Sequence, residues 1–286
     1  MLSDERRFEI IRALSNNVVL ANDVWSNKET ILMGKGIGFG AKPSASIEHS
    51  DARIEKKFSL ASEQHLSQYQ MILEQIDAEV IMVSERIISL VSEQLTPDLN
   101  EHIHLALPSH IEYALYRIRH DISIENPFLW EIRTLNPKEY EVATQAAELI
   151  GSAFGIVIPE DEIGFLTIHI QSAVAHVPVG NVVQYNHLLK ELVVLIEERR
   201  GSQIPKDSID YLRLITHLRF AIERIRQGEH SRNPFRDKLM DMVPYEFGVA
   251  KECGALMAKT LNMNVSDDEV AYIAMHLYRL FQKDFE

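Results

Sequence analysis

Residues 8–58 show short apolar segments separated by turn formers. Val18-Val19-Leu20, Thr30-Ile31-Leu32-Met33 and Arg53-Ile54-Glu55-Lys56-Lys57-Phe58 are β-prone and partly alternating. Ser15-Asn16-Asn17, Ser26-Asn27-Lys28 and the run Gly34-Lys35-Gly36-Ile37-Gly38-Phe39-Gly40 punctuate them. About four such strands make a small core, which favours pairing of this unit with a copy of itself. From about Leu66 the period becomes helical. Ile76, Val80, Val83, Ile87, Ile88 and Val91 recur at three and four residues, and Thr96-Pro97 stops the run. A second helix, restarting at Pro97, is expected to carry His102, His104 and His110. A third is expected near Glu141–Phe154, and a fourth opens at Pro159 with acids in its first turn, where the helix dipole favours them. His176–Asn181 reads as a connector, after which the pattern repeats.

That repetition is close. A shift of 107 positions carries His110 onto His217, Arg117-Ile118-Arg119 onto Arg224-Ile225-Arg226, and Asn126-Pro127-Phe128 onto Asn233-Pro234-Phe235. It also carries Asp161-Glu162 onto Asp268-Glu269 and His169 onto His276. The 67 positions from 105 to 171 hold 18 identities without a gap. Two tandem all-α modules of about five helices each follow, behind a small antiparallel β domain. The expected domains are 1–60, 66–176 and 182–286.

Composition narrows the function classes. One cysteine, Cys253, excludes an internal disulfide framework and suits a reducing compartment. The charged start Met1–Arg7 has no apolar segment behind it, so neither a signal peptide nor membrane insertion is expected, and the expected location is cytoplasmic. Net charge is −13, unevenly spread: residues 1–60 hold nine Lys/Arg and eight Asp/Glu, the remainder 20 and 34. Only the N-terminal sixty residues would not repel a polyanion.

The glycine run lacks the Gly-Lys-Ser/Thr spacing of a phosphate loop, and Pro43-Ser44-Ala45-Ser46 follows where a dinucleotide fold needs a helix. Two readings remain. Phe39 packs inward under a glycine-rich hairpin, or it is presented on a thin loop beside Lys35, Lys42 and the Asn16-Asn17 turn, where it would stack on an unpaired base. No helix-turn-helix pattern accompanies it, so duplex DNA is the weaker partner. The duplicated histidines also admit several readings. They are core residues, ligands of a metal-dependent hydrolase built from His102, His104, His110, His169 and Asp161, or acceptors of a phosphoryl group whose charge resets an interface. Against the metal reading, the second copy has Ile209 and Tyr211 where the first has His102 and His104. Arg117 and Arg224 lie seven residues beyond the first histidine of each copy, and Arg119 and Arg226 nine. All four are candidate phosphate partners or members of an ordinary ion-paired face.

From Phe8 to Leu280 the chain resembles the transcriptional antiterminators of bacterial sugar operons. The resemblance rests on Asn16-Asn17-Val18, Met33-Gly34-Lys35-Gly36-Ile37-Gly38-Phe39, Ala52-Arg53-Ile54-Glu55-Lys56 and the four histidines. Leu99–His104 and Tyr211–Ile215 look most like the glucose-type subgroup. The resemblance implies a co-antiterminator RNA-binding domain and two regulation domains (PRD domains) of the phosphotransferase system. It implies RNA contact by Arg12, Asn16, Asn17, Gly34, Lys35 and Phe39, and phosphorylation of His110, His169, His217 and His276. The implied partners are an mRNA leader hairpin, the phosphocarrier HPr, a sugar-specific EII permease and a second copy of the chain. Neither a catalytic residue, a metal nor a cofactor is implied; a DNA-binding activator with the same regulation domains is the alternative.

Overall fold

The computed structural model describes residues 7–58, 69, 75–229 and 232–282. Residues 1–6 of the charged extension lie outside them, as does most of the stretch from Leu66 where the helical period was expected to begin. Contacts divide the chain into two compact units, Met1–Asn126 with Lys138–Val179, and Pro127–Pro137 with Gly180–Glu286.

The first unit opens with a five-stranded antiparallel sheet: β1 (Arg7–Ser15), β2 (Val18–Asp23), β3 (Lys28–Met33), β4 (Ser46–Glu48) and β5 (Lys56–Phe58), in the order β4-β1-β2-β3-β5. The last is shorter than the Arg53–Phe58 strand expected from sequence, because Arg53 and Ile54 turn towards Asp51: their amides donate to its carboxylate and carbonyl. Strand alternation serves two faces. Val19, Ala21 and Leu32 face one core with Phe8, Ile10 and Ile37. Val18, Leu20, Ile31 and Met33 face the other way, against Tyr69, Ile81 and Leu105. The small sheet thus finds a second layer in its own chain, which is why all four residues Val18–Ala21 are buried.

Helices α1 (Ala78–Gln94), α2 (Ile103–Arg119), α4 (Pro137–Phe154) and α5 (Glu160–Val174) complete this unit. Asp77 caps α1, accepting from Glu79 N at 2.7 Å. Helix α2 begins six residues later than expected. Residues 97–102 form an irregular segment that ends in a turn at 101–102, with Asn100 N–H held by Ala173 O at 3.0 Å and its side chain accepting from His102 N. His102 is therefore a cap-position residue outside the helix.

The second unit holds α3 (Leu129–Leu135), α6 (Val179–Arg200), α7 (Ile209–Gln227), α8 (Arg236–Met242), α9 (Pro244–Leu261) and α10 (Asp267–Gln282). Each repeat copy therefore contributes five helices among the described residues. Helix α3 belongs to the first copy in sequence but packs with the second: Trp130 meets Tyr211 edge-on at 5.0 Å, and Tyr211 donates to Glu131 at 2.6 Å. Ser208 caps α7, and Gly228 ends it at a φ of 67°, a left-handed turn that glycine adopts without strain.

Candidate RNA-binding turn and histidine pairs

Met33 leads out of β3 into the glycine turn, which lies against the Asn16-Asn17 turn between β1 and β2. Gly34 N–H donates to Asn17 O and Gly38 N–H to Asn16 O, both at 3.0 Å, and Gly36 N–H donates to Asn17 Oδ1 at 2.8 Å. A Cβ on Gly34 would stand 1.6 Å from Arg53 O, and one on Gly38 2.0 Å from Ser15 O. Backbone approaches backbone there, so these two positions admit no side chain. Ile37 is buried and anchors the turn, while Phe39 is 79% exposed. The inward-packed reading of Phe39 is thereby corrected: Ile37 already fills the interior. Arg12, Asn16 and Lys35 are exposed as well, whereas Asn17 is half-buried with its amide oxygen engaged by Gly36. Cations, an amide and an aromatic ring thus share the accessible surface of this small domain, and its described residues form strands and turns with no helix.

Each module brings its two histidines together although 59 residues separate them. On α2, His110 and Arg117 are seven residues apart and share a face; on α5, Glu162 and His169 have the same spacing. The helices meet so that His110 faces His169, ring centroids 4.6 Å apart, while Arg117 grips Glu162 at 2.6–2.9 Å. Glu162 Oε2 also stands 3.5 Å from His110 Nε2, and Tyr113 covers the guanidinium at 4.5 Å. The second module repeats the arrangement. His217 of α7 stacks on His276 of α10 at 3.4 Å, and Arg224 holds Glu269 at 2.7–2.9 Å. A cavity of ≈ 210 Å³ opens beside this pair, with Phe220, Arg224 and Tyr272 in its wall.

Burial sets the protonation of these rings. It pushes His110 well below the ordinary imidazole value, with the neighbouring His169 and Arg117 adding to the effect. Burial and then His102 bring His169 to about 4; burial, His217 and Arg224 bring His276 to about 4, and His217 is lowered by burial and Arg224. With their values lowered, the imidazoles are mostly neutral at pH 7, and a neutral imidazole keeps one ring nitrogen with a lone pair. The sign of the linked stability follows. Unfolded histidines bind protons near pH 6.5 and folded His169 and His276 near 4, so the stability these two contribute above about pH 6.5 is lost as pH falls toward about 4. Urea midpoints measured from pH 7 to 5 are expected to fall less steeply in His169→Gln than in the wild-type chain. Identical slopes would contradict the depressed value.

Arg119 and Arg226 are held away from the pairs. Nine residues place them on the opposite side of the helix from His110 and His217. Arg119 lies over Phe154 at 5.8 Å, and Arg226 pairs with Glu223. His104 also points elsewhere, its Nδ1 2.7 Å from Glu85 Oε1. Among the described residues no group of three His, Cys, Asp or Glu could hold a metal ion. Glu162 and Glu269 were not singled out from sequence, although the repeat preserves them. Their seven-residue lead over His169 and His276, matching the lead of His110 over Arg117, was the available signal. Asp161 and Asp268, also repeated, accept from the backbone of Asn126 and Asn233 at 2.8 and 3.1 Å and tie the loop after the histidine helix to the next site helix.

Residues 8–67 match the CAT RNA binding domain, and residues 85–173 and 190–280 each match the PRD domain. The chain is 37% identical over 280 residues to the PtsGHI operon antiterminator of Bacillus subtilis (strain 168), covering 96% of this chain and 98% of that protein. It is 28% identical over 276 residues to Protein GlcT of Staphylococcus aureus (strain bovine RF122 / ET3-1), covering 96% and 97%. A crystal structure titled GlcT CAT-PRDI superposes with a TM-score of 0.53 at 37% identity, over 59% of this chain and 98% of that one. No single helix among the described residues is long and apolar enough to cross a membrane. With its exposed-aromatic turn and two half-buried histidine pairs, the chain belongs to the family of phosphotransferase-system transcriptional antiterminators built from a CAT RNA binding domain followed by two PRD domains.

Proposed function

We propose that residues 1–60 bind, as a homodimer, a short hairpin in the leader of a sugar-operon mRNA and stabilise it so that an overlapping terminator cannot form. Arg12 and Lys35 meet phosphates, Phe39 stacks on an unpaired base, Asn16 reads a base edge, and Gly34 and Asn17 hold the turn in shape. Two-fold symmetry in the protein calls for a roughly two-fold arrangement of internal loops in the RNA. Residues 66–176 and 182–286 are the regulation domains. The phosphocarrier HPr and a sugar-specific EII permease phosphorylate His110, His169, His217 and His276 in the cytoplasm according to sugar flux. The activity is regulated binding; the chain catalyses nothing of its own.

The observation that carries this reading is the duplicated neutral histidine pair beside an Arg–Glu bridge. A phosphoryl group adds about −1.5 to −2 charges and strong acceptor oxygens. Placed on His110 or His217, it would draw Arg117 or Arg224 away from Glu162 or Glu269, which the same charge repels. Inverting a two-state equilibrium from 1:99 to 99:1 takes about 5.5 kcal/mol, and two or three charge-assisted bonds at about 1.5–3 kcal/mol each reach that range. Incubation with the phosphocarrier, its phosphoryl donor and the permease is expected to label the wild-type chain. A quadruple His→Ala variant at 110, 169, 217 and 276 is expected to lose that label. Equal incorporation by the variant would defeat the assignment.

A further inference from the structure

Two consecutive residues of helix α1, Glu85 and Arg86, line a pocket with Met33, Gly34 and Glu55 at the start of the glycine turn. Arg86 reaches Glu55 Oε2 at 3.4 Å, while Glu55 Oε1 accepts from Lys35 N at 3.4 Å and Glu55 N–H donates to Met33 O at 2.9 Å. Glu85, 2% exposed, meets His104 Nδ1 of α2 at 2.7 Å. The fully buried Tyr69 lies against Glu85, which together with burial raises its phenol, and its hydroxyl is 3.5 Å from Met33 Sδ. Met33 is the residue from which the turn departs.

Packing alone does not call for this pair. The second module has Leu192 and Tyr211 at the positions equivalent to Glu85 and His104, and both are buried there. A buried carboxylate costs more to desolvate than a leucine, and only the copy that abuts the sheet carries it. His104 also shares α2 with His110, six residues and about 9 Å along the axis. A rigid shift of that helix at the histidine pair would therefore reach His104 and, across its 2.7 Å contact, Glu85 of α1.

We propose that Glu85 and His104 are positioning residues for the glycine turn, fixing Met33 through Tyr69 and carrying the charge state of His110 to the surface that presents Phe39. The inference rests on the reading of the turn as the RNA surface and of His110 as a phosphoryl acceptor. A coupling claim of this kind requires a measured dependence of one site on the other. In the full-length chain, the double variant Glu85→Leu/His104→Phe replaces the pair by apolar side chains. It is expected to speed amide exchange at Gly34, Gly36 and Gly38 by about tenfold, with the β2–β3 ladder amides within about twofold of wild type. Glu85→Gln, which keeps the volume, is expected to give a smaller change of the same kind. Turn amides that exchange at wild-type rates in both variants would overturn the positioning role.

His110→Asp, placing a negative charge at the histidine pair, is expected to alter turn exchange in the wild-type background and to leave it unaltered in the double variant. An equal response in both backgrounds would overturn the transmission. Leader-hairpin affinity is expected to fall about tenfold in the double variant. Failure of the wild-type chain to bind any leader hairpin would instead defeat the RNA reading, and the exchange measurement would still decide whether the pair positions the turn.

Discussion

Phe39→Ala is expected to weaken binding of a leader hairpin by about 5- to 150-fold, the equivalent of about 1–3 kcal/mol for one stacked base. The ring is 79% exposed and lies in neither core cluster of the sheet, so its removal creates no cavity. Stability should accordingly stay within about 0.5 kcal/mol of wild type, as for other surface substitutions. That combination separates a binding role from a folding role. A gel-shift titration measures the first and urea unfolding the second. Phe39→Trp, which keeps an aromatic face on the same turn, should retain most of the affinity. Unchanged affinity in Phe39→Ala would remove the stacking claim, because no other exposed aromatic lies on this turn.

The largest expected effect on stability belongs to Glu162→Ala, at about 3–5 kcal/mol. Its carboxylate is almost wholly buried and holds Arg117 in two-pronged fashion, and the Arg117 side chain is itself only 7% exposed. Removing the acid strands a guanidinium in an apolar setting. Glu269→Ala should cost clearly less, since Arg224 is 28% exposed and water can take over part of the missing carboxylate. The comparison is internal to one chain, with the same residue types at the same helix positions in two copies. Urea unfolding followed by probes within each module measures it. Equal costs in the two copies would show that burial does not set the strength of these bridges.

Much of the fold was legible because the relevant signals are local. The 107-residue repeat announced two equivalent modules. Pro137 and Pro244, each conserved by the repeat, stand at the start of α4 and α9, where a missing N–H is harmless. The glycine turn was marked by glycines that no other residue could replace at two positions. The start of α2 was misplaced because a distant carbonyl, that of Ala173, holds Asn100 in an irregular segment, and such long-range hydrogen bonds leave no periodic trace. The swap of α3 into the second unit was equally invisible. Trp130 and Glu131 are ordinary helix residues until Tyr211 is known to stand beside them.

By itself, the sequence determined the β domain, the two helical modules and the identity of the four repeated histidines, since repetition and apolar period are properties of neighbouring residues. Tertiary structure alone decided that those histidines are pairs, that each pair lies beside an Arg–Glu bridge, and that Glu85 of α1 meets His104 of α2. These depend on which helix faces cross. Crossing is fixed by the packing of whole surfaces, and no window along the chain contains it.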